Sequence, residues 1–185
     1  GCFPLVPYSN RIGNGQLAFG SGLRRLRPNF PPEPHAIHGV GWQRAWRVTD
    51  RTPSGVTLAI AQVPDEDWPF RFTATQSVRL AEGRLEASLE IVNEDDTSFP
   101  VGLGFHPYFP APPGTRLETA WKGWWRLGED KLPVAHERIP AQADFRVARA
   151  VDGWRVDNPF TDWGRLARLH YDGHVTTLAA DEALG

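Results

Sequence analysis

The 185-residue sequence contains a single cysteine, Cys2, and no methionine. One cysteine cannot close an internal disulfide, and without a CxxC pair there is no thiolate metal site, so a reducing compartment, the cytoplasm, is expected. No apolar run reaches the roughly 18 residues that a spanning helix needs. The first residues lack the charged start and apolar stretch of a secretory signal. An excess of one charge is also missing. Twenty Lys and Arg against 22 Asp and Glu leave a formal charge of −2 and a pI near 6.3, which gives nucleic acid or an anionic membrane no electrostatic reason to bind. The expected partner is small and uncharged. There is no G-x-S-x-G serine elbow, and "GNGQLAFGSG" lacks both the lysine of a phosphate loop and a strand–helix context. Covalent hydrolysis and nucleotide chemistry therefore drop out.

What the chain does have is punctuation: 18 glycines and 17 prolines separate short segments that are β-branched, aromatic or alternating. Long helices have little room. "PFRFTATQSVRL" and "GRLEASLEIVN" alternate with period two, bringing Phe70, Phe72 and Ala74, then Leu85, Ala87, Leu89 and Ile91, to one face. The intervening "AEG", residues 81–83, reads as a hairpin loop. Further strands are expected at 16–19, 45–50, 56–63, 116–121, 165–171 and 174–179, with Asp172-Gly173 turning between the last two. About ten short strands at this spacing predict an all-β, antiparallel sandwich or barrel in a single domain covering residues 1–185. With no methionine and a start that already looks structured, the sequence is expected to be the central portion of a longer chain. The proline-rich "RRLRPNFPPEPHAIHG" is a long loop of the kind that carries function.

Four polar clusters lie where strands should meet loops. In "PYSNRIGNG", Asn10-Arg11 is either an ordinary turn or a fixed guanidinium offering paired hydrogen bonds to a ligand oxygen. "HAIHGVGW" places His35 and His38 three apart, before Trp42; they are core histidines, or metal ligands with the distant His106 as a third. In "VGLGFHPYF", Gly102 and Gly104 would each weaken a strand by about 0.5–1 kcal/mol relative to alanine. They should therefore mark a bulge or a close approach. Pro107 ends the strand, so His106 faces a cleft with Phe105 and Tyr108 packed around it, and an imidazole there can act as a general acid at neutral pH. "VDNPFTDW" is good turn chemistry, yet Asp157 could equally accept hydrogen bonds from sugar hydroxyls. Trp42, Phe160 or Trp163 could lie flat against a pyranose ring. Most of the eight tryptophans are expected in the core or as cross-strand partners.

Taken in order, "NRIGNG", "HAIHGVGW", "GFHPYF" and "VDNPF" resemble the aldose 1-epimerase (galactose mutarotase) family over nearly the whole chain. The resemblance implies a large antiparallel β-sandwich, the galactose mutarotase-like supersandwich, here incomplete at both ends. It also implies a free hexose as partner, exchange of its α and β anomers, no metal and no organic cofactor, in a monomer or homodimer. In that family a glutamate removes the proton of the C1 hydroxyl while a histidine protonates the ring oxygen. The ring opens, the C1–C2 bond rotates, and closure gives the other anomer. His106 matches the acid and His38 the second histidine at the ring oxygen. Asn10 and Arg11 match sugar-contacting positions, and Asp157 the carboxylate that holds sugar hydroxyls. The family's base stands in a Glu-Pro context near its C-terminal end. Glu33-Pro34 is the only Glu-Pro here and does not match; Glu182 lacks the context. Two other activities compete: a hexose-6-phosphate epimerase using Arg24, Arg25 and Arg27, and a sugar-binding module without catalysis.

Overall fold

A computed structural model describes residues 1–183 as strands and loops with two short 3-10 turns. Its contacts divide the chain into two compact units, Gly1–Tyr108 and Phe109–Gly185. The first unit contains β1 (Cys2–Leu5), β2 (Arg11–Ile12), β3 (Gln16–Phe19), β4 (Gly22–Arg25), β5 (Ala36–Ile37), β6 (Arg47–Thr52), β7 (Gly55–Gln62), β8 (Phe72–Ala81), β9 (Arg84–Asn93) and β10 (Gly104–Pro107). The second contains β11 (Arg116–Thr119), β12 (Gly123–Leu127), β13 (Pro133–Arg138), β14 (Arg149–Ala150), β15 (Phe160–Thr161), β16 (Leu166–Tyr171) and β17 (His174–Ala179). The all-β, antiparallel expectation holds in both.

In the first unit, β6 to β9 form a four-stranded meander. Glu82 and Gly83, both with positive φ (46° and 77°), close the β8–β9 hairpin. That is the mirror-image turn whose twist matches the flanking strands. Phe70, Phe72 and Ala74 are buried, as their alternation predicts, and pack with Trp68, Phe99, Tyr8 and Ile60 in the core. Leu89 and Ile91 pack against this core, but Leu85 is 64% exposed. The reason is length: ten-residue strands run roughly 33 Å at 3.3 Å per residue, so among the described residues the hairpin's tip extends past the core.

The second unit pairs β14-β11-β16-β17 and, separately, β13-β12-β15. Its apolar centre is aromatic. Trp121 and Phe160 stack at 3.9 Å between centroids, Phe145 meets Trp154 at 4.6 Å, and Phe145 is 2% exposed. Strand boundaries differ from expectation where a side chain is needed elsewhere. β11 ends at Thr119, because Trp121 leaves the ladder to stack on Phe160 and to donate Nε1–H to the Ala143 carbonyl at 2.9 Å. β6 starts at Arg47, because the preceding Trp46 donates Nε1–H back to the Gly41 carbonyl at 2.8 Å. On the four-stranded sheet, Glu118 accepts from Arg168 at 2.8 Å and His170 at 3.0 Å. The His170 hydrogen bond, followed by that from Arg168, holds its carboxyl below the usual glutamate range.

Candidate active site

Two short ladders position the histidines of the first unit. β1 pairs antiparallel with β10, setting Phe3 opposite His106; β2 pairs with β5, setting Arg11 opposite Ile37, one residue before His38. Both ladders are anchored by β1's continuation. The Val6 carbonyl accepts from Val40 N–H at 2.7 Å and Gly41 N–H at 3.0 Å, and the Pro7 carbonyl from Gly102 N–H at 2.9 Å. Residues far apart in sequence are thereby brought onto neighbouring strands.

The two rings lie with centroids 5.5 Å apart and planes at 82°. Asn10 and His38 both adopt positive φ (62° and 61°), a conformation uncommon outside glycine and asparagine. Reciprocal bonds hold it in place. His38 N–H donates to the Asn10 carbonyl at 2.9 Å, and Asn10 N–H donates to His38 Nδ1 at 3.1 Å. Because Nδ1 accepts a proton-bearing donor, the neutral ring must carry its own proton on Nε2. His38 is thus presented as an Nε2–H donor. The Asn10 side-chain oxygen is taken by Arg11 N–H at 2.9 Å, so Asn10 acts on His38 through its backbone.

Aromatic rings surround the pair. Phe3 and Tyr108 each stack on His106 at 4.7 Å, with interplanar angles of 20° and 22°. Trp42 stacks on Phe3 at 5.8 Å, meets His38 edge-on at 6.4 Å, and donates Nε1–H to the Ile37 carbonyl at 3.2 Å. The expectation that Phe105 flanks His106 is corrected. The strand's period-two alternation sends Phe105 to the opposite face, and Phe3, on another strand, takes its place. The two glycines also divide. A Cβ on Gly104 would stand 3.2 Å from the Leu5 side chain, a close approach, whereas one on Gly102 would meet nothing within 4 Å.

Arg11 is engaged bidentately by Glu33, with Nε to Oε2 at 2.8 Å and Nη2 to Oε1 at 3.0 Å, and the side chains are only 11% and 23% exposed. His35 is 1% exposed and accepts Asn14 N–H on Nδ1 at 3.0 Å, as a core histidine does. Among the described residues, no three His, Cys, Asp or Glu side chains are grouped to share a metal ion. The first unit therefore gathers Asn10, Arg11, His38, Trp42 and His106, while Asp157 lies exposed in the second, before β15. The segment after Asp157 runs beside β12 rather than forming a local turn: Asn158 donates its amide to the Trp125 carbonyl at 2.8 Å, and Trp125 N–H donates to the Pro159 carbonyl at 2.8 Å. A cleft in the second unit, lined by Lys122, Asp162, Trp163, Gly164, Arg165 and Glu182, contains none of the expected site residues except the alternative ring face, Trp163.

Three contributors had no sequence signal of their own: Phe3, Glu33 and Asn29. The Asn29 side chain substitutes for a missing strand beside β5, donating to the Ile37 carbonyl at 2.8 Å and the Gly39 carbonyl at 3.1 Å and accepting Ile37 N–H at 2.8 Å. Asn29→Ala should lower unfolding free energy by about 2–3 kcal/mol, at about 1 kcal/mol for each of three bonds, as read from urea denaturation. It should also slow any reaction that needs His38 in place.

The sequence profile of the aldose 1-epimerase family matches residues 1–182, across both units. The protein YphB of Escherichia coli (strain K12), itself uncharacterised, is 28% identical over 169 residues, covering 91% of this chain and 57% of that protein. A crystal structure from E. coli K12 with a provisional aldose 1-epimerase assignment superposes with a TM-score of 0.84 at 28% identity, covering 92% of this chain and 58% of that one. A galactose mutarotase-like protein of Clostridium acetobutylicum gives 0.80 at 18% identity, over 92% of this chain and 58% of its own, which shows the shared fold. The chain spans just under three fifths of these relatives' length. With a galactose mutarotase-like fold and a family match running through the histidine pair, the chain belongs to the aldose 1-epimerase family.

Proposed function

We propose that the full protein interconverts the α and β anomers of a free hexose, with residues 1–185 forming part of one mutarotase-like domain. The observation that carries this is the pair of perpendicular imidazoles, His38 and His106, 5.5 Å apart in an aromatic setting. His106 donates a proton to the ring oxygen as the C1–O5 bond breaks, and His38, with its proton on Nε2, hydrogen-bonds to the same oxygen. Reversal of the transfer after rotation about C1–C2 closes the other anomer, so one acid serves both directions. Asn10 and Arg11 hold hydroxyls beside the histidines, and Trp42 gives the pyranose an apolar face. The base that takes the C1 hydroxyl proton is not Glu33, whose carboxylate is committed to Arg11. The single exposed cysteine supports a cytoplasmic location.

The test is polarimetry of freshly dissolved α-D-glucose and α-D-galactose with the full-length protein. The expected result is equilibration faster than in buffer, in proportion to protein concentration. Saturable sugar binding with no acceleration would instead identify a non-catalytic sugar-binding protein.

A further inference from the structure

Arg11 and Glu33 stand out because one of them was expected to bind ligand and the other to do nothing. Arg11 lies on β2 directly opposite Ile37, one residue along the ladder from His38; paired strands are roughly 5 Å apart. Its side chain is 11% exposed, so solvent screens it little. Alone, such a cation on the strand next to the His38 loop would make its surroundings attractive to anions. Instead two parallel hydrogen bonds from a carboxylate, at 2.8 and 3.0 Å, cancel the charge and fix the plane of the group.

In the basic run at 24–27, Arg25 is exposed on β4 and the other two arginines are engaged elsewhere. Arg27 is held by Asp67 through two bonds of 2.8 Å and also by Glu66, and Arg24 lies over the Phe70 ring at 4.7 Å. A phosphate clamp that needs Arg24, Arg25 and Arg27 together is therefore disfavoured, and the charged pair on the strand next to His38 is Arg11–Glu33.

We propose that Glu33 is a specificity-determining residue: by neutralising Arg11 it makes the site select uncharged hexoses over sugar acids and sugar phosphates. This rests on the sugar site placed above at His38 and His106. The fork geometry leaves Arg11 able to orient hydroxyls while the net charge of the pair stays zero.

The experiment measures dissociation constants of glucose, glucuronate and glucose 6-phosphate by calorimetry, at low and high ionic strength, for full-length wild type, Glu33→Gln and Arg11→Gln. Wild type should prefer glucose to both anions. Glu33→Gln keeps a hydrogen-bonding side chain and unmasks the cation, so both anions should tighten at least about tenfold relative to glucose, and the gain should fade at high salt. Both should respond, because charge rather than a phosphate-shaped clamp is responsible. Arg11→Gln leaves the carboxylate and should move the anions the other way, which carries the test even if Glu33→Gln does not fold. A selectivity ratio within about threefold of wild type in either folded variant, or tightening of glucose 6-phosphate alone, overturns the inference while leaving the sugar site standing. A wild-type protein that binds none of the three sugars overturns the site and the inference together.

Discussion

Replacing His106 with glutamine is expected to slow mutarotation by about 10²- to 10⁴-fold, the usual contribution of a positioned general acid. Glutamine keeps a hydrogen-bonding group near the sugar but cannot give up a proton. The reaction needs a proton at the ring oxygen as that oxygen leaves C1, and water at neutral pH supplies it poorly. Sugar affinity should fall much less, because Trp42 stays packed against Phe3 at 5.8 Å and the Asn10–His38 bonds do not involve His106. The split between rate and affinity is the diagnostic: a lost proton donor lowers the rate constant at saturation, whereas a lost contact raises the half-saturation concentration. Polarimetry across a range of sugar concentrations separates the two. If the saturated rate of His106→Gln stays within threefold of wild type while His38→Gln abolishes it, the acid is His38 and the assignment of roles is reversed.

Gly39→Ala is expected to cost about 3 kcal/mol or more of unfolding free energy, with the histidine loop disrupted in whatever still folds. Two effects add here. Gly39 has φ +66°, and a side chain in that left-handed conformation costs about 1–2 kcal/mol. A Cβ at this position would also stand 2.0 Å from the Val6 carbonyl oxygen, 2.4 Å from its carbon and 2.7 Å from Pro7 Cδ. Forcing atoms into a packed site costs about 1–3 kcal/mol more. Val6 cannot easily yield, since its backbone is buried and its oxygen accepts from Val40 and Gly41. Gly83→Ala is the control that isolates the first effect. Gly83 also has positive φ, +77°, but a Cβ there meets nothing within 4 Å, so about 1 kcal/mol is expected. Urea midpoints for the two variants decide the matter: equal shifts would mean that the Val6 contact relaxes freely and that strain alone accounts for the loss.

The consequence for function lies in adjacency. Gly39 follows His38, whose own positive φ is held by Asn10 and, through the Gly39 carbonyl, by Asn29. Uncommon backbone conformations cluster at functional sites when the surroundings over-determine them, and here the segments of Asn10 and Asn29 do so.

Local chemistry made much of this legible in the sequence. Period-two alternation located β8 and β9, and Glu-Gly and Asp-Gly located their turn and the one between β16 and β17, because these signals depend only on neighbours along the chain. The ends of β6 and β11 were displaced where a tryptophan left its ladder for a carbonyl outside it. Among the candidate site residues, His106 was readable from its setting after Gly104 and before Pro107, and His38 from the family resemblance. Phe3 and Glu33 were not, although both are plain in the sequence. Glu33 read as a loop residue because the Arg11 that binds it is 22 positions away, and Phe3 stands beside His106 only through the register of β1 on β10. The sequence by itself determined an all-β chain and a set of candidate side chains, because composition, alternation and turn residues act locally. Only the tertiary structure decided which of them meet, which tautomer His38 holds and that Arg11 is neutralised. Those follow from long-range strand pairing and buried hydrogen bonds, for which no short window of sequence specifies the partner.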